Sequence, residues 1–343
     1  MRGRATLALR AVTLVAVIAL SVPAGAPAAG WRRIATDVKS FVTDGARYAA
    51  WNESGAPITV LDTYTGRRVA IPPGCTEAWG AAGGRLLIEC EHRQGLFDIR
   101  TRSFKALPAF EDAPWFDLGL YYVAGRAPSG SHCGERPTHD ECDALYDVAT
   151  GAVTLVPKLR MSDLDRPGAP PLCRAVRERL LADAHNEGFE AFEYVGAYER
   201  GLLATAEQVG ERPLSRIRID RCHGRPTVVH TRPVPFGIEL RGGLLMWTAV
   251  TRPEEPLGTA EEIERTRGEV EAYFIKSGRR VNWTVPRVPI RLRLCGEPTP
   301  VGVDGEADHT DRTVFWLAVT AEVCGEKGGT AVDMRDLYAR PLR

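Results

Sequence analysis

Two patterns of apolar and polar positions alternate along the chain. The first is a short apolar or aromatic run opened by glycine. It occurs at Gly45–Trp51, Gly84–Cys90, Gly119–Gly125, Gly201–Ala206 and Gly243–Ala249, with a sixth copy lacking the glycine at Thr313–Val319. Runs of this kind bounded by turn residues predict buried strands. The second pattern is an alternating strand, a polar turn and another strand, often ended by proline. It occurs at Ile58–Ile71, Gly95–Pro108, Ala144–Pro157, Arg216–Val229 and Ala272–Pro286, with a degenerate last copy near Thr330–Tyr338. Thr-Gly, His-Gly and Ser-Gly steps supply the positive-φ residue that a tight hairpin requires.

The two patterns alternate strictly, and each pair supplies three or four strands in roughly 40 residues, the period of a propeller blade. One such unit cannot bury both of its faces. Stacking units around an axis covers them, and closing the ring leaves only short edges. Six pairs predict an all-β fold, a β-propeller of six blades. Seven blades or a partly open β-solenoid are the alternatives. The segment from Trp31 to Val42 is the candidate for the strand that closes the ring.

Three insertions break the period, at residues 126–143, 158–188 and 251–270. The second contains Leu172–His185, where Leu172, Val176, Leu180 and Leu181 fall at helical spacing, so a short helical insertion is expected there. The third opens with Thr259-Ala-Glu-Glu, a capping-box start to a short polar helix. Long insertions of this kind belong on a loop-bearing face, where function usually sits.

The units Val60-Leu-Asp-Thr-Tyr-Thr-Gly66 and Leu145-Tyr-Asp-Val-Ala-Thr-Gly151, each preceded by a glycine-initiated strand, resemble blades of TolB-like six-bladed propellers. The resemblance covers about residues 34–343 and implies a fold rather than an activity. The same turn occurs in quinoprotein dehydrogenase propellers, which add a tryptophan after it in successive blades. Here only Trp283 stands near that place.

The N-terminus changes the compartment. Arg2, Arg4 and Arg10 precede an apolar run from Ala11 to Val22, and Ala26-Pro27-Ala28 offers a cleavage site. Residues 1–28 therefore read as a signal peptide, with 29–343 as a single propeller domain. The run is shorter than the roughly 20 residues of a transmembrane helix, so no stable membrane span is expected. The chain has 44 basic and 44 acidic residues. Losing those three arginines leaves 41 against 44, a formal charge of −3. Near-neutrality gives no case for a nucleic-acid partner.

Eight cysteines remain: Cys75, Cys90, Cys133, Cys142, Cys173, Cys222, Cys295 and Cys324. Export favours disulfides. Sequence neighbours suggest Cys75–Cys90, Cys133–Cys142 and Cys295–Cys324, leaving Cys173–Cys222, although eight cysteines allow many pairings. No C-x-x-C pair supports a zinc site.

Candidate chemistry is sparse. His132, His139 and Asp140 share a cysteine-flanked loop and are metal-ligand candidates, weighed against a disulfide-closed polar loop. Asp304, Glu306 and Asp308 alternate in a segment suited to calcium, weighed against a solvated hairpin tip. His223 and His230 read as exposed or structural. Trp51, Trp79, Trp115, Trp247 and Trp316 recur beside the strand runs, and core packing is favoured over a ligand-stacking surface. There is no Gly-x-Ser-x-Gly elbow and no phosphate-binding glycine loop. The expected molecule is an exported, monomeric, non-catalytic binding or scaffold module. It would engage a protein or cell-envelope ligand through one loop-bearing face and use no cofactor, with calcium as the minor exception. The alternative is a secreted carbohydrate-active hydrolase or lyase using axial carboxylates.

Overall fold

The computed structural model describes residues 30–109, 115–118, 122–128, 130–131, 142–157, 196–199, 202–208, 215–221, 223–231, 235–251, 267–286, 292–293, 305–322 and 334–342. All their regular structure is β, in six sheets that follow one another along the chain, antiparallel throughout except for the short parallel pairing of β22 with β24. The first comprises β2 (Val38–Thr43), β3 (Tyr48–Glu53), β4 (Thr59–Asp62) and β5 (Arg67–Val69). The second holds β6 (Cys75–Ala82), β7 (Arg85–Cys90), β8 (Arg93–Asp98) and β9 (Ser103–Ala106). The third holds β10 (Trp115–Leu118), β11 (Tyr122–Arg126), β12 (Cys142–Asp147) and β13 (Val153–Pro157). The fourth holds β14 (Gly196–Glu199), β15 (Leu202–Gln208), β16 (Ser215–Arg221) and β17 (Thr227–Thr231). The fifth holds β18 (Pro235–Arg241), β19 (Leu244–Thr251), β20 (Arg267–Phe274) and β21 (Arg279–Thr284). The sixth combines β22 (Leu292–Arg293), β23 (Gly305–His309), β24 (Thr313–Glu322) and β25 (Met334–Pro341) with the N-terminal β1 (Arg32–Ala35).

The first five sheets are meanders whose first strand packs on its counterpart in a neighbouring sheet, and β23 takes that place in the sixth. β2 lies against β6, β6 against β10, β14 against β18, and β18 against β23. β23 lies against β2, bringing the last sheet back to the first. That is the arrangement of a β-propeller.

The apolar runs are continuous because the second strand of each sheet is buried on both faces. Leu86 and Ile88 of β7 point into a cluster with Ala50 and Val60 of the first sheet, while Leu87 packs with Trp115 and Val123 of the third. On β19, Leu245 and Trp247 face the fourth sheet, and Leu244 and Met246 face the sixth. On β24, Val314 and Trp316 face the fifth sheet, and Phe315 and Leu317 face the first.

The Asp-x-x-Thr-Gly turns join third and fourth strands. Asp62 accepts from the backbone N–H groups of Tyr64 (3.0 Å) and Thr65 (3.3 Å), and Gly66 takes φ 70°. Asp147 does the same for Ala149 and Thr150, both at 2.8 Å, with Gly151 at φ 78°. The Arg47 guanidinium holds the Asp62 carboxyl down at about 2, against the desolvation that opposes it.

Ring closure uses part of the predicted segment. β1 pairs antiparallel with β25, while Val38–Thr43 is the first strand of the first sheet. Just before β1, Trp31 is buried among Trp283 and Val285 of the fifth sheet and Trp316 of the sixth, and its indole N–H donates to the Thr284 carbonyl at 2.9 Å. The guanidinium of Arg340 lies over the rings of Trp31 and Trp283.

Cys75 and Cys90 face each other across β6 and β7 and are disulfide-bonded. Cys142 is disulfide-bonded as well, to a partner outside the described residues. The other five cysteines, the expected signal segment and the expected helix at 172–185 also lie outside them. Among the described residues there is no helix, and none long and apolar enough to cross a membrane.

Candidate functional site

The first strands of the sheets were not anticipated by either sequence pattern, and they line the axis. A pocket of about 400 Å³ collects Phe41 and Thr43 of β2, Trp79 of β6, Leu118 of β10, Glu239 and Arg241 of β18, and Glu306 and Asp308 of β23. In β2, β6, β10 and β18 these residues come from the C-terminal part of the strand, and in β23 from its middle. The turns that follow them touch one another. The Asp44 carboxylate accepts from the Gly84 N–H at 3.2 Å, and the Asp311 N–H donates to the Ala46 carbonyl at 2.7 Å.

Three of these strands are tied together by Arg241. It donates through Nη1 to the Thr43 carbonyl, lies 3.7 Å from the Asp308 carboxylate, and places Nε 3.6 Å from Glu239. The Thr43 hydroxyl sits 2.8 Å from Asp308 Oδ2 and 2.9 Å from the His309 carbonyl, with one proton to share between them. Asp308 Oδ1 accepts from the His309 N–H at 2.7 Å. The last turn of the axial wall is therefore a closed polar network joining the fifth, sixth and first sheets. Strand alternation turns His309 away from Asp308, into the protein. It is buried, and its Nε2 has no hydrogen-bond partner among the described residues. Burial pushes the imidazole below its ordinary value, and the neighbouring Asp308 opposes that shift.

Glu306 and Asp308 are the two predicted site residues that reach this pocket. They stand at alternate positions on a strand rather than at a hairpin tip; the turn itself is at 310–312. No group of three or more potential metal ligands occurs among the described residues. His132, His139, Asp140 and Asp304 lie outside them. His223 and His230 are exposed on the fourth sheet, and the His230 carbonyl accepts from Arg280 at 2.7 Å.

The five recurrent tryptophans divide. Trp51, Trp115, Trp247 and Trp316 are buried in the core, as expected. Trp79 is 37% exposed and lines the pocket, which overturns its assignment to the core. The cause is a register shift in β6 between Ala78 and Gly80, which leaves Trp79 unpaired with β7. Bulges of this kind re-aim a side chain. Gly80 then allows the next strand in: a Cβ there would sit 3.0 Å from both the Cβ and the backbone nitrogen of Leu118.

Glu239, Arg241 and Thr43 also escaped sequence reading. Their signal is three-dimensional, since they belong to two sheets far apart in sequence and share no motif.

No family model matches the chain, and no curated protein matches it. Solved β-propellers do. The CNH domain of AfRom2 is 11% identical, with a TM-score of 0.39, covering 91% of this chain and 99% of that one. The propeller domain of the Trilobed protease from Pyrococcus furiosus is 10% identical, with a TM-score of 0.34, covering 90% and 94%. The WD40 domain of fission-yeast SCAP is 8% identical, with a TM-score of 0.36, covering 92% and 97%. The superpositions are loose, and the propeller assignment rests on the sheet order described above.

Proposed function

We propose that this protein is an exported, non-catalytic binding module, a six-bladed propeller of TolB-like type that engages a protein or cell-envelope ligand through one loop-bearing face. One observation carries the reading. In a meander, links between first and second strands and between third and fourth strands leave from one rim. On that rim no link exceeds five residues. The links at 127–141, 158–195, 252–266 and 323–333 join second to third strands, or one sheet to the next. All of them leave from the opposite rim. Loops collected on a rigid scaffold are where recognition is placed. An oxidising compartment agrees with the Cys75–Cys90 bond.

Co-sedimentation of the mature protein with isolated cell envelopes tests this. Saturable binding should be lost when residues 158–195 are replaced by a short glycine-serine linker, and should persist in Tyr64→Ala, which alters the opposite rim. Equal binding by the loop-replaced protein would remove the proposal.

A second reading, a carbohydrate-active hydrolase or lyase, is favoured by the gathering of Glu239, Glu306 and Asp308 in one pocket. Against it, Asp308 is held by Thr43 and by the His309 N–H, beside Arg241. Turnover of a polysaccharide panel that disappears in Glu306→Gln would establish it.

A further inference from the structure

The axial pocket has two unlike walls. Phe41 and Trp79, on neighbouring strands β2 and β6, form an aromatic wall. Glu239, Glu306 and Asp308, on neighbouring strands β18 and β23, form an acidic wall. Among the described lining residues three carboxylates stand against one guanidinium, that of Arg241, a net charge of −2. Arg241 is already committed to Thr43, Asp308 and Glu239. Glu306 is exposed, and its carboxylate meets no side chain among the described residues.

Trp79 carries the other half of the argument. A bulge turns it out of the core into a concave site, whereas the five other strand tryptophans are buried. A large aromatic and a carboxylate with no side-chain partner among the described residues, lining the same pocket, suit one ligand chemistry. The π-face attracts a cation, and the carboxylate accepts its N–H groups. An anion would meet the excess negative charge. A neutral sugar would stack on Trp79 but gain nothing from that charge. The volume of about 400 Å³ lies within the range of small-molecule sites.

We infer that the axial pocket binds an organic ammonium group, an alkylamine head placed between Trp79 and Glu306. The same head can come from a free small amine or from a lysine side chain of a partner. The inference rests on the axial pocket rather than on the loop-bearing face, so either can fail without the other.

Calorimetric titration of the full mature chain tests it, with pentylammonium and with its neutral counterpart pentanol. Pentylammonium should bind saturably and more weakly as salt rises. Pentanol should bind at least about tenfold more weakly, since it lacks the charge-assisted bond. Glu306→Gln and Trp79→Leu should each weaken pentylammonium about tenfold. Both positions face solvent, so melting temperatures near that of the parent will show that the variants fold. Tighter binding of acetyl-lysine amide than of pentylammonium would assign the head to a protein partner, and the reverse order to a free amine. Equal affinity for pentanol, unchanged affinity in Glu306→Gln, or no saturable binding at millimolar pentylammonium would overturn the inference.

Discussion

Replacing Trp31 by alanine is expected to open the ring. Trp31 is 5% exposed, lies outside any strand, and joins the N-terminal β1 to the fifth and sixth sheets. Truncating a buried Trp costs about 3–5 kcal/mol. The lost indole bond to the Thr284 carbonyl, which is part-buried, adds about 1 kcal/mol. Stacking of Arg340 over the ring is lost as well. A total of about 4–6 kcal/mol is a large share of the roughly 5–15 kcal/mol that holds a domain folded. Urea unfolding measures the loss. Hydrogen exchange locates it, because β25 pairs with β1 on one side and should lose protection on that edge. Trp79→Ala is the internal control: that side chain is 37% exposed, so its loss should cost under about 1 kcal/mol. If Trp31→Ala and Trp79→Ala cost the same, or if β25 stays protected, Trp31 does not hold the ring shut.

Gly95→Ala should destabilise by about 1–3 kcal/mol, since a Cβ there would lie 2.6 Å from the Lys105 carbonyl and 2.4 Å from Phe104; a thermal melt checks it. His309 should make stability depend on pH. Its folded value is depressed, so the unfolded chain takes up a proton that the buried ring refuses. That contribution is whole above the unfolded value of about 6.5 and is lost as pH falls below it. Denaturation curves from pH 8 to 5 should slope less in His309→Leu than in the parent. Asp62 behaves likewise at lower pH: its support, through Arg47, is present above about 3.9 and fades as pH falls towards about 2, a step that Asp62→Asn should remove from the acid-unfolding curve.

The parts of the fold that were legible are those with a one-dimensional cause. The second strand of each sheet is apolar on both faces, so runs such as Leu86-Leu-Ile88 stand out without any periodicity. The third and fourth strands are announced by turns in which Asp62 or Asp147 caps the chain and a glycine takes positive φ. Even the turn without glycine keeps this form, with Asp98 accepting from Thr101 and Arg102 at φ 57°.

The axial strands escaped for two reasons. Their pocket-facing residues include Glu239, Arg241, Glu306 and Asp308, so the alternation lacks a dominant apolar face. Register shifts then break the period in β2, β6, β10 and β18. Glu306 and Asp308 were noticed for their spacing alone. Trp79 was grouped with four core tryptophans because nothing in its neighbours marks the bulge at Ala78–Gly80. The closing segment was read as one strand, whereas positive φ at Asp37 separates β1 from β2.

The meeting of Trp79 with the acidic strands on one axial pocket is tested most directly by the indole N–H signals of the seven tryptophans, followed by NMR during a pentylammonium titration. The Trp79 signal should move and saturate, with Trp247 unmoved in its buried core and no movement on adding pentanol. A Trp79 signal that stays still at millimolar pentylammonium, or one that moves equally with the alcohol, would contradict the site.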